Sequence, residues 1–361
     1  MTPAEKQITQ LYVGYFARAA DPAGFDFWLG QANAGGAILD IANSFAAGQE
    51  YASIYGGLSN GSLIDKIYDN LFGRAPDSAG KAYWLAQLES GMQSGGLIVN
   101  VMSGAQGNDR LTLENTAIIA RDWTARTIGF DLAAAHDAIA SINTPQPITG
   151  NGISVTITDP ALLPWADAIS ASIKAAWHQW EIHFDNQSQI QIDVGYSPIS
   201  GGNTIASATS LTELLTASGY TQSGVAQEII TGRDPNGNMQ DGFINLHMEP
   251  NELFSRFDMT SIFAHELGHI IAFRTQINNS NAPATTNYDH LIGASGGTLH
   301  FDGPNAVAQY GGPVPVSRIG NFNDYAHFDI GLMAPTFWDH EVRTVGALEL
   351  AVLKDIGIGV Q

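Results

Sequence analysis

Hydrophobic positions recur at helical spacing through the first 140 residues, alternate in short runs beyond residue 152, and return to helical spacing near residue 260. Within the first part there is an internal repeat. Tyr12, Phe16, Arg18, Asp21, Gly24 and Trp28 reappear as Tyr68, Phe72, Arg74, Asp77, Gly80 and Trp84, each displaced by 56 positions. Each copy, around 8–50 and 64–106, predicts a helix ending in Arg-x-x-Asp, a turn carrying Pro22 or Pro76, and a second helix opening at the tryptophan. Arg and Asp are expected to tie the turn while Tyr, Phe and Trp fill a small core. An Ala-rich helical stretch, Leu111 to Ala140, closes this first domain (1–143). A Pro/Gly/Asn-rich linker over 144–152 breaks both periods.

From 153 to 361 the pattern is mixed. Ile153–Ile157 and Ile190–Val194 alternate as strands, and Gly242–Met248 reads as a third. Leu162 to Phe184 predicts a long amphipathic helix with Trp165, Ile169, Ile173, Trp177 and Trp180 on one side. The fold class is therefore α+β: an all-helical repeat domain, then a twisted mixed sheet layered on helices. Another helix is predicted over Met259–Phe273, N-capped by Asp258, with Phe263, Leu267 and Ile270 as its buried stripe.

That helix carries His265-Glu266-Leu267-Gly268-His269. Residues four apart share a helix face, so both imidazoles can ligate one Zn²⁺. Glu266 lies beside them as a general base that need not touch the metal. Gly268 costs roughly 1 kcal/mol in a helix interior, which suggests space for a backbone or strand passing close by. A catalytic zinc needs a third protein ligand, and the downstream candidates are His290, His300, His327 and His340.

Composition narrows the chemistry. With 361 residues, 44% of them hydrophobic, the chain can build real cores, and its net charge of −20 disfavours nucleic acid and anionic membranes as partners. There is no cysteine, so any metal must be held by histidine and carboxylates. The N-terminus lacks a basic region followed by an apolar core, and no apolar stretch reaches the length of a membrane span. Together with the apolar Ile356–Val360 end, this suggests a bacterial protein that is secreted or held at the cell surface without a cleaved N-terminal signal.

Two family resemblances follow from these residues. The repeat is similar to a helical module of unknown function (DUF4214-like) from bacterial exported and surface-layer proteins, often found beside calcium-binding RTX repeats. That resemblance implies a docking or targeting role toward a cell-surface or surface-layer component. The second part resembles the metzincin zinc proteases, closest to the leishmanolysin-like arrangement. The resemblance rests on the His-Glu-Leu-Gly-His helix, the preceding strands, and Tyr325-Ala326-His327-Phe328-Asp329-Ile330-Gly331-Leu332-Met333-Ala334-Pro335. It implies His265, His269 and His327 as zinc ligands, Glu266 as base, Met333 beneath the metal, and a protein or peptide substrate. Two positions depart from the pattern: Ala272 stands where glycine usually ends the metal helix, and Pro335 stands two past Met333 where some members place tyrosine.

Weaker signals remain. The strand carrying Phe243, Asn245 and His247 is read equally as a substrate-binding sheet edge and as an ordinary internal strand. Asp234, Asn236, Asn238 and Asp241 alternate as calcium ligands do, although a plain turn explains the same residues. His300 is the rival third zinc ligand. Gly293-Ala294-Ser295-Gly296-Gly297 matches the serine-hydrolase elbow in letters but lacks the strand-to-helix context that the motif requires. The functional expectation is a zinc endopeptidase. The alternative is a non-catalytic surface-layer or extracellular binding protein on a protease scaffold.

Overall fold

A computed structural model describes residues 1–127, 130–143, 152–199, 204–237, 239–277, 284–296, 298–317 and 325–361. The chain divides into two compact units, Met1–Pro145 and Gln146–Gln361. Residues 144–151 of the expected linker lie outside the described residues.

The first unit is helical: α1 (Pro3–Phe16), α2 (Pro22–Asn33), α3 (Ile38–Ala46), α4 (Gln49–Tyr55), α5 (Asn60–Phe72), α6 (Ser78–Glu89), α7 (Ser94–Gly104), α8 (Gly107–Arg126) and α9 (Leu132–Asn143). The repeat has a common chemistry. Asp21 and Asp77 are N-caps, each accepting a backbone N–H three residues on, from Gly24 and Gly80, at 2.7 Å. As expected, each arginine ties its own turn, Arg18 donating to the Ala19 carbonyl at 2.9 Å and Arg74 to the Ala75 carbonyl at 2.8 Å. Each also reaches a later acid: Arg18 grips Glu50 through two bonds of 2.8 Å, and Arg74 Nε meets Asp109 at 2.8 Å. A planar guanidinium matches both carboxylate oxygens, and the N-cap already occupies the nearer aspartate. Trp28 and Trp84 fall inside α2 and α6 rather than at their openings. The Ala-rich stretch is helical, in the two segments α8 and α9, with Asp131 accepting the Ala134 N–H at 2.9 Å to start α9.

The second unit holds β1 (Gly152–Ile157), α10 (Ala166–Glu181), β2 (Gln189–Tyr196), β3 (Ala206–Ser210), β4 (Glu213–Leu215), β5 (Thr221–Ser223), α11 (Gly224–Thr231), β6 (Gly242–Leu246), α12 (Pro250–Arg256), α13 (Met259–Ile271), β7 (Ile292–Ser295), β8 (Thr298–Phe301), α14 (Pro304–Tyr310), β9 (Val314–Ser317), β10 (His327–Phe328) and α15 (Ala347–Asp355). The chain as a whole is thus helical first and sheet-containing after, a mixed α and β protein. The main sheet has the order β1-β2-β6-β3, with β3 alone antiparallel. Helix α10 packs on α13 because Ile169, Ile173, Trp177 and Trp180 lie on one face and are fully buried. No helix among the described residues is long and apolar enough to cross a membrane.

The topology corrects the edge-strand reading. β6 pairs with β2 on one side and β3 on the other, so the strand bearing Phe243 and Asn245 is internal. Its backbone groups are already used, and no extended peptide can add to it. Phe243 and Asn245 instead cover Gly195 of β2, where a Cβ would come within 2.7 Å of the Phe243 ring. His247, just past β6, bridges Ser207 Oγ at 2.8 Å and the Ser197 carbonyl at 2.6 Å.

A second sheet, β10-β9-β8-β7, is formed by the stretch of chain between α13 and α15. Its strands are two to four residues long, too short to carry a readable period. β7 and β8 pair antiparallel with Ser295 opposite Thr298. The serine-elbow letters therefore belong to a hairpin, and Ser295 is not presented by a strand-to-helix turn.

Candidate metal centre

Helix α13 begins at Asp258, whose carboxylate accepts the Ser261 N–H at 2.9 Å. It is buried along nearly its whole length, and its 3.6-residue period sets His265 and His269 on one face. The helix ends at Ala272 with φ −159° and ψ −32°; because φ is negative, the exit does not use the left-handed backbone that favours glycine. His269 Nδ1 bonds the Phe273 carbonyl at 2.7 Å, and His265 Nδ1 bonds the Leu332 carbonyl at 2.8 Å. Because a carbonyl only accepts, both Nδ1 atoms carry the hydrogen, and both Nε2 atoms present lone pairs.

His327 arrives from β10, paired with Ser317 of β9. The three Nε2 atoms form a near-equilateral triangle: 3.1 Å from His265 to His269, 3.1 Å from His269 to His327, and 3.2 Å from His265 to His327. Nitrogens bound to one tetrahedral zinc at about 2.0–2.1 Å would be separated by roughly 3.3 Å. The fit is close. His265 and His269 face each other lone pair to lone pair, an arrangement that a shared cation satisfies. Burial, reinforced by the neighbouring histidines, lowers the pKa of His265 to about 3 and depresses that of His327 further. Both rings are therefore neutral, as metal ligation requires.

Glu266, next to His265, is 5% exposed, and burial alone raises its carboxyl pKa to about 8. A nearby divalent cation would favour its ionised form. Met333 is fully buried beneath α13, and its sulfur explains Gly268. A Cβ at Gly268 would lie 2.7 Å from Met333 Sδ and 3.3 Å from the Trp180 ring. The glycine makes room for two side chains, not for the passing backbone expected from sequence. Trp180 is held in place by its Nε1–H, which donates to the Ala264 carbonyl at 2.9 Å.

These contacts set up a test. In Gly268→Ala, helix propensity gains about 1 kcal/mol, whereas overpacking a filled core costs about 1–3 kcal/mol. The balance is a net loss of about 1 kcal/mol, read as a fall in melting temperature of about 2–4 °C. An unchanged or raised melting temperature would show that Met333 yields freely.

Glu349 was not singled out in the sequence. It is 1% exposed, and its Oε1 accepts the N–H of Leu332 at 2.7 Å and of Met333 at 3.4 Å, while Oε2 accepts the Gly346 N–H at 3.1 Å. It thereby fixes the turn whose Leu332 carbonyl orients His265, as outer-sphere partners of metal ligands do. The turn itself closes by Phe328 N–H to the Met333 carbonyl at 3.0 Å, with Gly331 at φ +77°. A side chain at Gly331 would also run into Glu349 Oε1.

The other histidines lie elsewhere. His300 meets Asp302 at 3.0 Å, His290 stacks on Tyr220, and His340 is exposed with a left-handed backbone. The carboxylates of Asp234 and Asp241 come together with that of Glu228, a residue the sequence reading missed. Its signal was a lone acid in the apolar run Val225-Ala226-Gln227-Glu228-Ile229-Ile230. Asn238 lies outside the described residues.

Comparison with known proteins adds one finding for the first unit. Residues 42–111 match a family model described as a domain of unknown function (DUF4214). The match takes in the end of the first repeat copy and the whole of the second, so the N-terminal module is supported. No curated protein matches this chain.

Proposed function

We propose that the second unit is a zinc-dependent endopeptidase of metzincin type, and that the helical repeats dock or target it at a cell-surface or surface-layer component. The single observation carrying this reading is the triangle of three Nε2 atoms, 3.1–3.2 Å on a side, with a buried carboxyl on the neighbouring residue. His265, His269 and His327 would hold the ion, each through Nε2. Bound zinc would supply a water of lowered pKa and polarise the scissile carbonyl.

The chain's own residues do the rest. Glu266 takes the proton of the attacking water and returns it to the leaving amine, which needs a base whose pKa lies near neutrality. The Leu332 and Phe273 carbonyls keep His265 and His269 in the ligating tautomer. Among the described residues the main sheet has two edge strands, β1 and β3, and of these β3 lies against α13. An extended substrate pairing there would be recognised largely through its main chain.

The reading is tested by metal analysis of the purified chain and by casein cleavage before and after chelation. The expected result is about one zinc per chain, activity lost with a chelator, and activity recovered on adding zinc. Cleavage that survives complete zinc removal overturns the mechanism.

A further inference from the structure

The second acidic cluster joins three parts of the fold. Carboxylate oxygens of Glu228 on α11, Asp234 in the following loop, and Asp241 just before β6 lie within 4.8 Å of one another. Glu228 and Asp241 each spend one oxygen on β2: Glu228 Oε1 accepts the Gln189 N–H, and Asp241 Oδ2 accepts the Gln191 N–H at 2.8 Å. Their other oxygens, Glu228 Oε2 and Asp241 Oδ1, are buried and accept no hydrogen bond.

An uncharged residue points the same way. Asn236 is fully buried beside Asp241; its Nδ2 donates toward the Met239 and Gln240 carbonyls at 3.4 Å, while Oδ1 is buried with no donor. Buried oxygens without donors are costly, and natural folds rarely leave several together. Among the described residues, no lysine or arginine pairs with any of the three acids. Burial first, then mutual repulsion, raises the pKa of Glu228 to about 9 and that of Asp241 to about 8. Buried together, these carboxyls either take up protons or ionise against a bound cation.

We propose that Glu228, Asp234, Asn236 and Asp241 bind a calcium ion that fastens α11 and the loop before β6 to β2. Calcium takes oxygen ligands at about 2.3–2.6 Å, so two oxygens on one ion stand at most about 5 Å apart. The observed limit of 4.8 Å meets that requirement. Magnesium keeps several waters and a stricter geometry, which a buried set of carboxylates and one amide suits poorly. The site shares no residue with the histidine centre, so the two readings stand or fall separately.

The test uses the full chain, loaded with zinc and freed of calcium. Thermal melts with added calcium chloride are expected to rise by about 5–10 °C at roughly a hundred times the dissociation constant, with calorimetry giving one site per chain. The rise should vanish in Asp241→Asn and in Glu228→Gln. No rise in the wild-type chain, or the same rise in both variants, overturns the proposal. An equal rise with magnesium overturns the choice of ion. If neither variant folds, the wild-type titration decides: one bound calcium supports the site, and none removes it.

Discussion

Replacing Glu266 by glutamine is expected to lower casein cleavage by about 10²–10⁴-fold while leaving the zinc content unchanged. The substitution keeps shape and burial but cannot take a proton at neutral pH. Since Glu266 is no part of the nitrogen triangle, the metal should stay at about one ion per chain. Folding should also be spared, because the pKa of this buried carboxyl is already raised to about 8 and a neutral amide replaces a group that favours being neutral. Zinc analysis and a cleavage assay on the same preparation separate the two effects. Activity retained within a few-fold would show that another group carries the proton, and the alternative of a protease scaffold used for binding would gain if the wild-type chain is equally silent.

Removing the third imidazole should act on the metal instead. In His327→Ala, two helical nitrogens are left where three had converged, and zinc affinity is expected to fall by more than about 100-fold, beyond the loss seen for outer-sphere partners. After dialysis the variant should hold little zinc and show no cleavage. His300→Ala is the matched control, since His300 is engaged with Asp302 and absent from the cluster. Zinc retained in His327→Ala and lost in His300→Ala would transfer the third position to the rival residue.

What the sequence disclosed, and what it hid, follows the range of the interactions. Helix α13 was legible because its cap, its apolar stripe and its two histidines are all local, set by spacing within fifteen residues. The repeat was legible because an offset of 56 recurs at six positions. His327 and Met333 were chosen through resemblance rather than spacing, and the structure places them against His265, His269 and Gly268. The strands β7 to β10 were missed because each is held by its neighbours rather than by a pattern of its own. Glu349 and Glu228 were missed for a related reason. Glu349 reads as a solvated acid on a short helix and Glu228 as a lone acid in an apolar run, and only a distant partner, the Leu332 amide or the Gln189 amide, accounts for the place of each in the interior.

The position of Glu349 has a consequence for biosynthesis. A ribosome delivers both helical histidines, then His327, then the methionine, and only sixteen residues later the carboxylate that latches their turn. Until α15 has docked, the Leu332 and Met333 amides lack the carboxylate that latches them, so the final setting of the Leu332 carbonyl against His265 waits on a helix made after all three histidines.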